Sequence, residues 1–242
     1  MRIIFIRHGD PDYINDTLTE KGIREADCLA ERIKNWNIDD VYCSPLGRAK
    51  KTAELGLKYT DKKPVIYDWM KEFFVPVKDP ETGKDRIAWD FMPKYWTNEK
   101  LLFNKDEWFN APVMKTGNIK EEYKSLCNNL DELLKQYGYV REGDYYKTDI
   151  DENGNMGSSK TIVIFCHLGV TFAMMSHLLG MSPLILWQGF FVAPTSVTVL
   201  NTEERIPGQA FFRVQMLGDT LHLHECKEPI SGSGYFAEIF NK

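Results

Sequence analysis

Short runs of apolar residues alternate with longer amphipathic stretches along this chain of 242 residues. Runs of this length between polar or turn-forming residues predict strands, and they occupy residues 2–6, 41–43, 65–67, 162–166, 197–200 and 211–216. The runs at 2–6 and 162–166 predict buried strands. Amphipathic or fully apolar stretches predict helices after Thr19, after Ser44-Pro45, over 119–137 and over 168–179. Because strands alternate with helices, the pattern indicates an α/β fold with a mostly parallel sheet.

The ends of these helices have chemical signals. Thr19 has a side-chain oxygen suited to an N-cap, and Ser44-Pro45 suits an N-cap followed by a proline in the first turn. Gly180 is suited to a C-cap after residue 179. The expected apolar face of the first helix consists of Ile23, Ala26, Ala30 and Ile33.

Two histidines directly follow predicted strands. His8 comes after the first apolar run, and His167 comes after the run at 162–166. Since ligands bind beyond the carboxyl ends of parallel strands in open α/β sheets, we expect both histidines at one edge of the sheet, in a binding site.

Two segments interrupt the alternation. Residues 73–115 are rich in aromatic side chains without a clear period, and we expect a lid over the sheet edge. Its aromatic rings either line an apolar pocket or bury the small core of the lid itself. Residues 141–160 are polar, with an Asn153-Gly154 turn signal, and predict a loop. The chain is thus predicted to form a single domain, residues 1–242, with a lid insertion at about 73–115 and a polar loop at about 141–160.

Composition excludes several classes of protein. Thirty basic residues against 35 acidic ones give a net charge of −5, without the basic excess of a nucleic-acid-binding protein. The five cysteines are scattered without a C-x-x-C pair, which argues against a zinc ribbon or a disulfide framework and favours a reducing, cytoplasmic setting. Residues 161–181 are apolar but contain His167 and His177, so we expect a buried strand and helix and no membrane span.

Several motifs, each at a strand end or helix start, resemble the histidine phosphatase superfamily of phosphoglycerate-mutase-like proteins. The resemblance covers most of the chain outside 73–115 and 141–160, and it implies a three-layer α/β/α sandwich. Its motifs are Arg7-His8-Gly9, the segment from Leu18 to Ala26, the segment from Cys43 to Glu54, His167, Pro194 to Thr198 and Gly218 to Leu223.

The resemblance also implies roles for residues. His8 is expected to be the nucleophile that forms a phosphohistidine, His167 to bind the transferring group, and Glu72 to be the general acid. Asp68 and Asp10 are rivals for the acid role. The expected reaction needs no metal and no cofactor, and its substrate is a small phosphorylated metabolite.

The chemistry of the residues agrees with phosphate binding. Arg7 and Arg48 offer planar forks of donors that match a phosphate group. The backbone N–H of Leu168, at the start of a helix, is a further donor. Asn15 is better explained as a turn residue, and His177 as a core or rim residue. We expect His222 and His224 to alternate along a strand, where His222 supports the site.

Alternatives of other kinds remain open. A phosphoglycerate mutase must hold a second acidic group, but residues 71–110 contain seven basic and eight acidic residues, which favours a phosphatase. A non-catalytic phosphate-ligand binder would lack a competent proton donor at Glu72. A metal hydrolase would use His167, His222 and His224. The oligomeric state is left open.

Overall fold

The structure is a computed structural model that describes residues 1–148 and 158–235. Its strands are β1 (Arg2–Arg7), β2 (Pro11–Asp12), β3 (Thr17–Leu18), β4 (Asp40–Cys43), β5 (Val65–Ile66), β6 (Pro76–Lys78), β7 (Asp85–Ile87), β8 (Tyr139–Glu142), β9 (Tyr145–Thr148), β10 (Thr161–Cys166), β11 (Val197–Ile206) and β12 (Gln209–Asp219). Its helices are α1 (Glu20–Ile33), α2 (Gly47–Gly56), α3 (Pro93–Trp96), α4 (Ile119–Lys135), α5 (Leu168–Leu179), α6 (Pro183–Gly189) and α7 (Leu221–Glu225). Short 3-10 helices occupy Asp68–Met70, Lys100–Phe103, Trp108–Asn110 and Met114–Thr116.

Among the described residues, eight strands form the main sheet, in the order β5-β4-β10-β1-β11-β12-β9-β8. The first four of these strands are mutually parallel, and the other four join them in antiparallel pairs. The predicted α/β class is therefore confirmed, and the parallel part of the sheet is the half that contains β1 and β10.

Helices cover both faces of the sheet. Along β1, Ile4 and Ile6 pack with Leu29 of α1 and other residues of α1 and α2, whereas Ile3 and Phe5 pack on the opposite face with residues of α4 and α5. This alternation follows from the two-residue period of a strand. The result is the three-layer α/β/α sandwich that the resemblance implied.

Local chemistry explains the ends of α1 and α5. The Thr19 hydroxyl accepts a hydrogen bond from the Gly22 amide at 3.1 Å, as expected of an N-cap. Gly180 has the left-handed conformation, φ 63°, as expected of a C-cap. Three residues of the apolar face predicted for α1 are buried, namely Ala26, Ala30 and Ile33. The prediction is wrong for Ile23, which is 38% exposed.

The start of α2 differs from the prediction. The helix begins at Gly47, with Leu46 at the N-cap, and Ser44 lies before it. The carboxylate of Asp16 accepts a hydrogen bond from the Gly47 amide at 2.6 Å, so a residue distant in sequence satisfies the donor that a local cap would have satisfied. Ser44 is thereby left for another role.

Two further predictions are wrong. His222 and His224 lie on helix α7 and not on a strand, so their side chains do not share a face; His222 is buried and His224 is exposed. Residues 141–148 of the expected polar loop belong to the β8–β9 hairpin. The predicted Asn153-Gly154 turn lies outside the described residues.

The aromatic insertion is anchored to the main core. Trp108 is fully buried, and its ring centroid lies 5.0 Å from that of Tyr123 on α4 and 5.5 Å from that of Trp187 on α6. Part of the insertion therefore packs as an extension of the core beneath it. In the described part of the chain, no helix combines the length and the apolar character required to cross a membrane.

Candidate active site

The position of His8 follows from the end of β1. Its backbone N–H donates to the carbonyl of Cys166 at the end of β10, at 3.0 Å, and the imidazole is 2% exposed. The ring Nδ1–H donates to the Gly9 carbonyl at 2.7 Å. This hydrogen bond assigns the proton to Nδ1, so the lone pair of Nε2 is free for a ligand or an electrophile.

Burial lowers the pKa of His8 well below 6.5, and the positive charges of Arg7 and Arg48 lower it further. The hydrogen bond to Gly9 opposes this shift but does not outweigh it. His8 is therefore a neutral imidazole at neutral pH, which is the form that has a nucleophilic nitrogen.

His167 lies beside His8, with the ring centroids 5.1 Å apart. It occupies the N-cap position of α5 and is fully buried. Its Nε2 lies 2.7 Å from the hydroxyl of Ser44, which also accepts a hydrogen bond from the Leu46 amide. Ser44 is fully buried, and Nε2 is the one acceptor available to its O–H among the described residues. We therefore assign the Ser44 O–H as the donor to Nε2 and place the proton of His167 on Nδ1.

Burial also lowers the pKa of His167 well below 6.5, and His8 and Arg48 contribute to the shift. The Nδ1 atom is buried without a hydrogen-bond partner among the described residues. The two histidines therefore have opposite tautomers: His8 presents a lone pair, and His167 presents a donor.

Arg7 and Arg48 each use some of their N–H groups in hydrogen bonds to the protein and leave others without a partner. Arg7 donates from Nη1 to the Val192 carbonyl at 2.7 Å and from Nη2 to the Ser233 carbonyl at 3.1 Å. Arg48 donates from Nη1 to Asp16 at 2.7 Å. The Nε atoms of both arginines are buried without partners in the described part of the chain. Since buried donors are rarely left unsatisfied, these atoms indicate an anionic ligand.

Glu72 lies against the start of α5. Its carboxylate accepts hydrogen bonds from the amides of Phe73 at 2.8 Å, Val170 at 2.8 Å and Gly169 at 3.2 Å. Burial raises the pKa of Glu72, although these three amides and Arg7 act in the opposite direction. The carboxyl group thus keeps a proton to a higher pH than an ordinary glutamic acid.

Most of the predicted residues line one cavity of about 580 Å³. His167 is not among the lining residues, and its ring centroid lies 5.1 Å from that of His8. The lining residues are Arg7, His8, Tyr13, Leu46, Arg48, Lys71, Glu72, Phe74, Ile87, Trp89, Asp90, Leu168 and Gly234. The aromatic insertion thus contributes Phe74 and Trp89 to the wall, whereas Trp108 is buried in the core. Both expectations for its aromatic rings therefore hold, each for a different set of rings.

The rival acids lie outside this cavity. The carboxylate of Asp10 accepts hydrogen bonds from the hydroxyls of Thr19, at 2.7 Å, and Ser231. Asp68 is exposed in a 3-10 helix and lines a different depression. Asn15 donates to Asp12 in an exposed turn, as expected. His177, at the protein rim, interacts with Asp131 at 2.9 Å.

Sequence reasoning missed several residues that position the site. Thr195 has a left-handed backbone, φ 57°, and its amide lies within hydrogen-bond distance of the carbonyls of both Arg7 and His8. Its hydroxyl lies 3.1 Å from Nε2 of His222, so the predicted supporting role of His222 acts through Thr195. Thr52 accepts a hydrogen bond from the Gly9 amide at 3.0 Å. No local pattern indicates these pairings, because they join distant segments.

The structure does not bring together the ligands of the metal-hydrolase alternative. His222 is turned towards Thr195, and His224 is exposed. Across residues 1–148 and 158–235, no three His, Cys, Asp or Glu side chains converge in a way that could hold a metal ion.

Comparisons with known proteins agree with this geometry. The histidine phosphatase superfamily (branch 1) model matches residues 3–99. A probable phosphatase of Schizosaccharomyces pombe is 21% identical over 237 residues, which cover 92% of this chain and 95% of that protein. An adenosylcobalamin/alpha-ribazole phosphatase of Salmonella typhi is 23% identical over 201 residues, 77% of this chain and 84% of that protein.

A solved structure has the same fold. It is that of a phosphoserine phosphatase mutant of Entamoeba histolytica in complex with phosphoserine, which is 24% identical to this chain. The likeness covers 92% of this chain and 98% of the other, with a TM-score of 0.58.

Fold and site together define an α/β protein in which two histidines and two arginines meet at the carboxyl edge of parallel strands. Within this fold, residues 3–99 match the model of the histidine phosphatase superfamily (branch 1), the family that the sequence motifs resemble. The relatives that match most of the chain's length are named as phosphatases.

The unused donors lead to a test of phosphate binding. Replacing Arg48 by alanine removes charged donors, each worth about 1.5–3 kcal/mol, so the Kd for inorganic phosphate should rise about 10- to 100-fold. Isothermal titration measures this change. The matched control is Arg24→Ala, because Arg24 is an exposed arginine paired with Glu228. An unchanged Kd for Arg48→Ala would remove Arg48 from the site.

Proposed function

We propose that this protein is a metal-independent phosphomonoester hydrolase that acts on a small phosphorylated metabolite through a phosphohistidine intermediate. The observation that supports this proposal most directly is the pair of adjacent histidines with opposite tautomers. Around them lie buried nitrogen donors without partners, at Arg7, Arg48 and His167. A lone pair for attack and several donors for phosphoryl oxygens are the groups that phosphoryl transfer requires.

In the first step, Nε2 of His8 attacks the phosphorus of the bound ester. A P–N bond forms while the bond between phosphorus and the ester oxygen breaks. Glu72 gives its proton to the leaving oxygen, so that an alcohol departs and Glu72 becomes a carboxylate. The raised pKa of Glu72 suits this donation.

In the second step, water attacks the phosphohistidine. The Glu72 carboxylate takes a proton from the water as the P–O bond forms and the P–N bond breaks. Inorganic phosphate is released, His8 returns to the neutral imidazole, and Glu72 is protonated again. The same residue thus acts first as an acid and then as a base.

The remaining donors hold the charge of the transferring group. Arg7 and Arg48 provide charged N–H groups, His167 provides Nδ1–H, and the Leu168 amide provides the first N–H of α5, which has no acceptor within its own helix. These fixed donors stabilise the oxygens of the phosphoryl group as it moves between the ester and His8.

Loss of the nucleophile tests the reaction. The wild-type protein should hydrolyse p-nitrophenyl phosphate equally with and without EDTA, because the mechanism uses no metal. His8→Ala should lower kcat by at least about a thousandfold, whereas His224→Ala, at an exposed histidine, should leave it unchanged. Loss of turnover in EDTA would favour the metal hydrolase, and binding without turnover would favour the non-catalytic binder. Transfer of phosphate to a second acceptor molecule, without its release, would favour the mutase.

The role of Glu72 predicts a dependence on the leaving group. An alkoxide needs a proton to leave, whereas p-nitrophenolate does not. Glu72→Gln should therefore lower kcat/KM for an alkyl phosphate by about 10²–10⁴-fold and that for p-nitrophenyl phosphate by less than about tenfold. Steady-state kinetics at one pH measures both values. An equal loss for both esters would contradict the acid role, and thermal unfolding of the variant checks its fold.

A further inference from the structure

A second cavity, of about 760 Å³, lies next to the cavity that contains His8. The two cavities share Trp89, Asp90, Leu168 and Gly234 in their walls. These shared residues place the second cavity where it could receive the part of a substrate that lies beyond a phosphate at His8. Its volume is within the range of small-molecule binding sites.

Aromatic rings form much of this second wall, which also includes apolar residues such as Met92 and Ile230. The rings are those of Trp89, Phe91, Trp187, Phe190, Phe191 and Tyr235. The wall is joined to the phosphate site through Phe191, whose ring lies 5.5 Å from the Arg7 guanidinium and 4.4 Å from the ring of Tyr235. Rings that converge from several segments in this way favour an apolar or planar group.

Asp90 is the one charged side chain among the described residues that line the second cavity. Its partner is Arg86, which donates from Nη1 to the Asp90 carboxylate at 3.4 Å. Arg86 is not in the wall, and its Nε is also paired with Asp79 at 2.8 Å. One arginine therefore faces two carboxylates, and this group keeps a net negative charge beside the cavity.

This charge pattern separates two kinds of substrate. A substrate with a second acidic group would place that group in a cavity whose described wall offers it no cation and whose one carboxylate belongs to a group of net negative charge. Like charges brought together in this way weaken binding. A neutral or cationic ring would lie against aromatic faces and Asp90 without this cost.

We propose that the second cavity receives the alcohol part of the substrate and that it selects phosphomonoesters of an uncharged or cationic ring-bearing alcohol over esters with a second acidic group, with Asp90 as the residue that rejects the acids. This proposal rests on the proposed phosphomonoester hydrolysis and names its substrate class. It predicts that a bisphosphate or a phosphorylated acid binds poorly at this site.

A pair of esters with similar leaving groups tests the selection. We would compare 2-phenylethyl phosphate with 3-phosphooxypropanoate, which are primary alkyl esters that end in a phenyl ring and in a carboxylate. For the wild-type protein, kcat/KM for the phenyl ester should be at least about 100-fold higher. Equal values, or a preference for the acid, would overturn the proposal.

Variants of residues in the cavity wall show which side chains produce the preference for the phenyl ester. Asp90→Asn should reduce the preference about tenfold by raising kcat/KM for the acidic ester. Phe190→Ala, at a half-exposed ring in the wall, should lower kcat/KM for the phenyl ester about fivefold. The matched control Phe211→Ala, at an exposed ring on β12 outside the cavity, should change neither value. A preference that survives Asp90→Asn intact would remove Asp90 from the proposal.

Binding separates this proposal from the catalytic one. The same two esters can be titrated into the His8→Ala protein, which cannot turn them over. Tighter binding of the phenyl ester, with no hydrolysis by the wild-type protein, would support the selection and contradict the proposed reaction. Hydrolysis of both esters with no difference in Kd or kcat/KM would contradict the selection alone.

Discussion

The parallel pairing of β1 with β10 is the constraint on which the site depends. Their register places Arg7 opposite Cys166, so the next residues, His8 and His167, leave the sheet side by side. A slip of one residue along β1 would exchange its two sets of apolar side chains, Ile3 and Phe5 on one face and Ile4 and Ile6 on the other, between two layers that are both buried against helices. The core therefore fixes the register, and the register sets the distance between the two imidazoles. The geometry of the proposed site is thus set by the packing of the sheet interior.

The start of α5 joins the acid to this arrangement. The Glu72 carboxylate accepts hydrogen bonds from the amides of Gly169 and Val170. These are two of the N–H groups that have no acceptor within the first turn of a helix. Gly169 permits this approach, because a Cβ atom there would lie 2.8 Å from Oε1 of Glu72 and 2.7 Å from Nε1 of Trp89. The absence of one side chain thus lets Glu72, the proposed acid, and Trp89, in the cavity wall, meet the same helix end.

Much of this arrangement could be predicted from the sequence, because it depends on local patterns. The apolar runs gave β1, β4 and β10, and the strand ends led to His8 and His167. The errors have a common physical cause. Ser44 has the chemistry of a helix cap, but the free amide of Gly47 at the start of α2 donates to the carboxylate of Asp16, a residue distant in sequence. Ser44 instead orients His167. Thr195 also acts through contacts between segments far apart in the chain, and a single sequence has no local signal for such contacts.

The central claim is that the phosphoryl group passes through Nε2 of His8. The most direct measurement mixes the protein with p-nitrophenyl phosphate, quenches the reaction in alkali within the first turnover, and maps the phosphate by mass spectrometry of the peptides. Alkali is chosen because a phosphorus–nitrogen bond to imidazole survives in base and is lost in acid. The account predicts a phosphopeptide modified on His8. Phosphate on another residue, or product release with unmodified protein at every quench time, would contradict it.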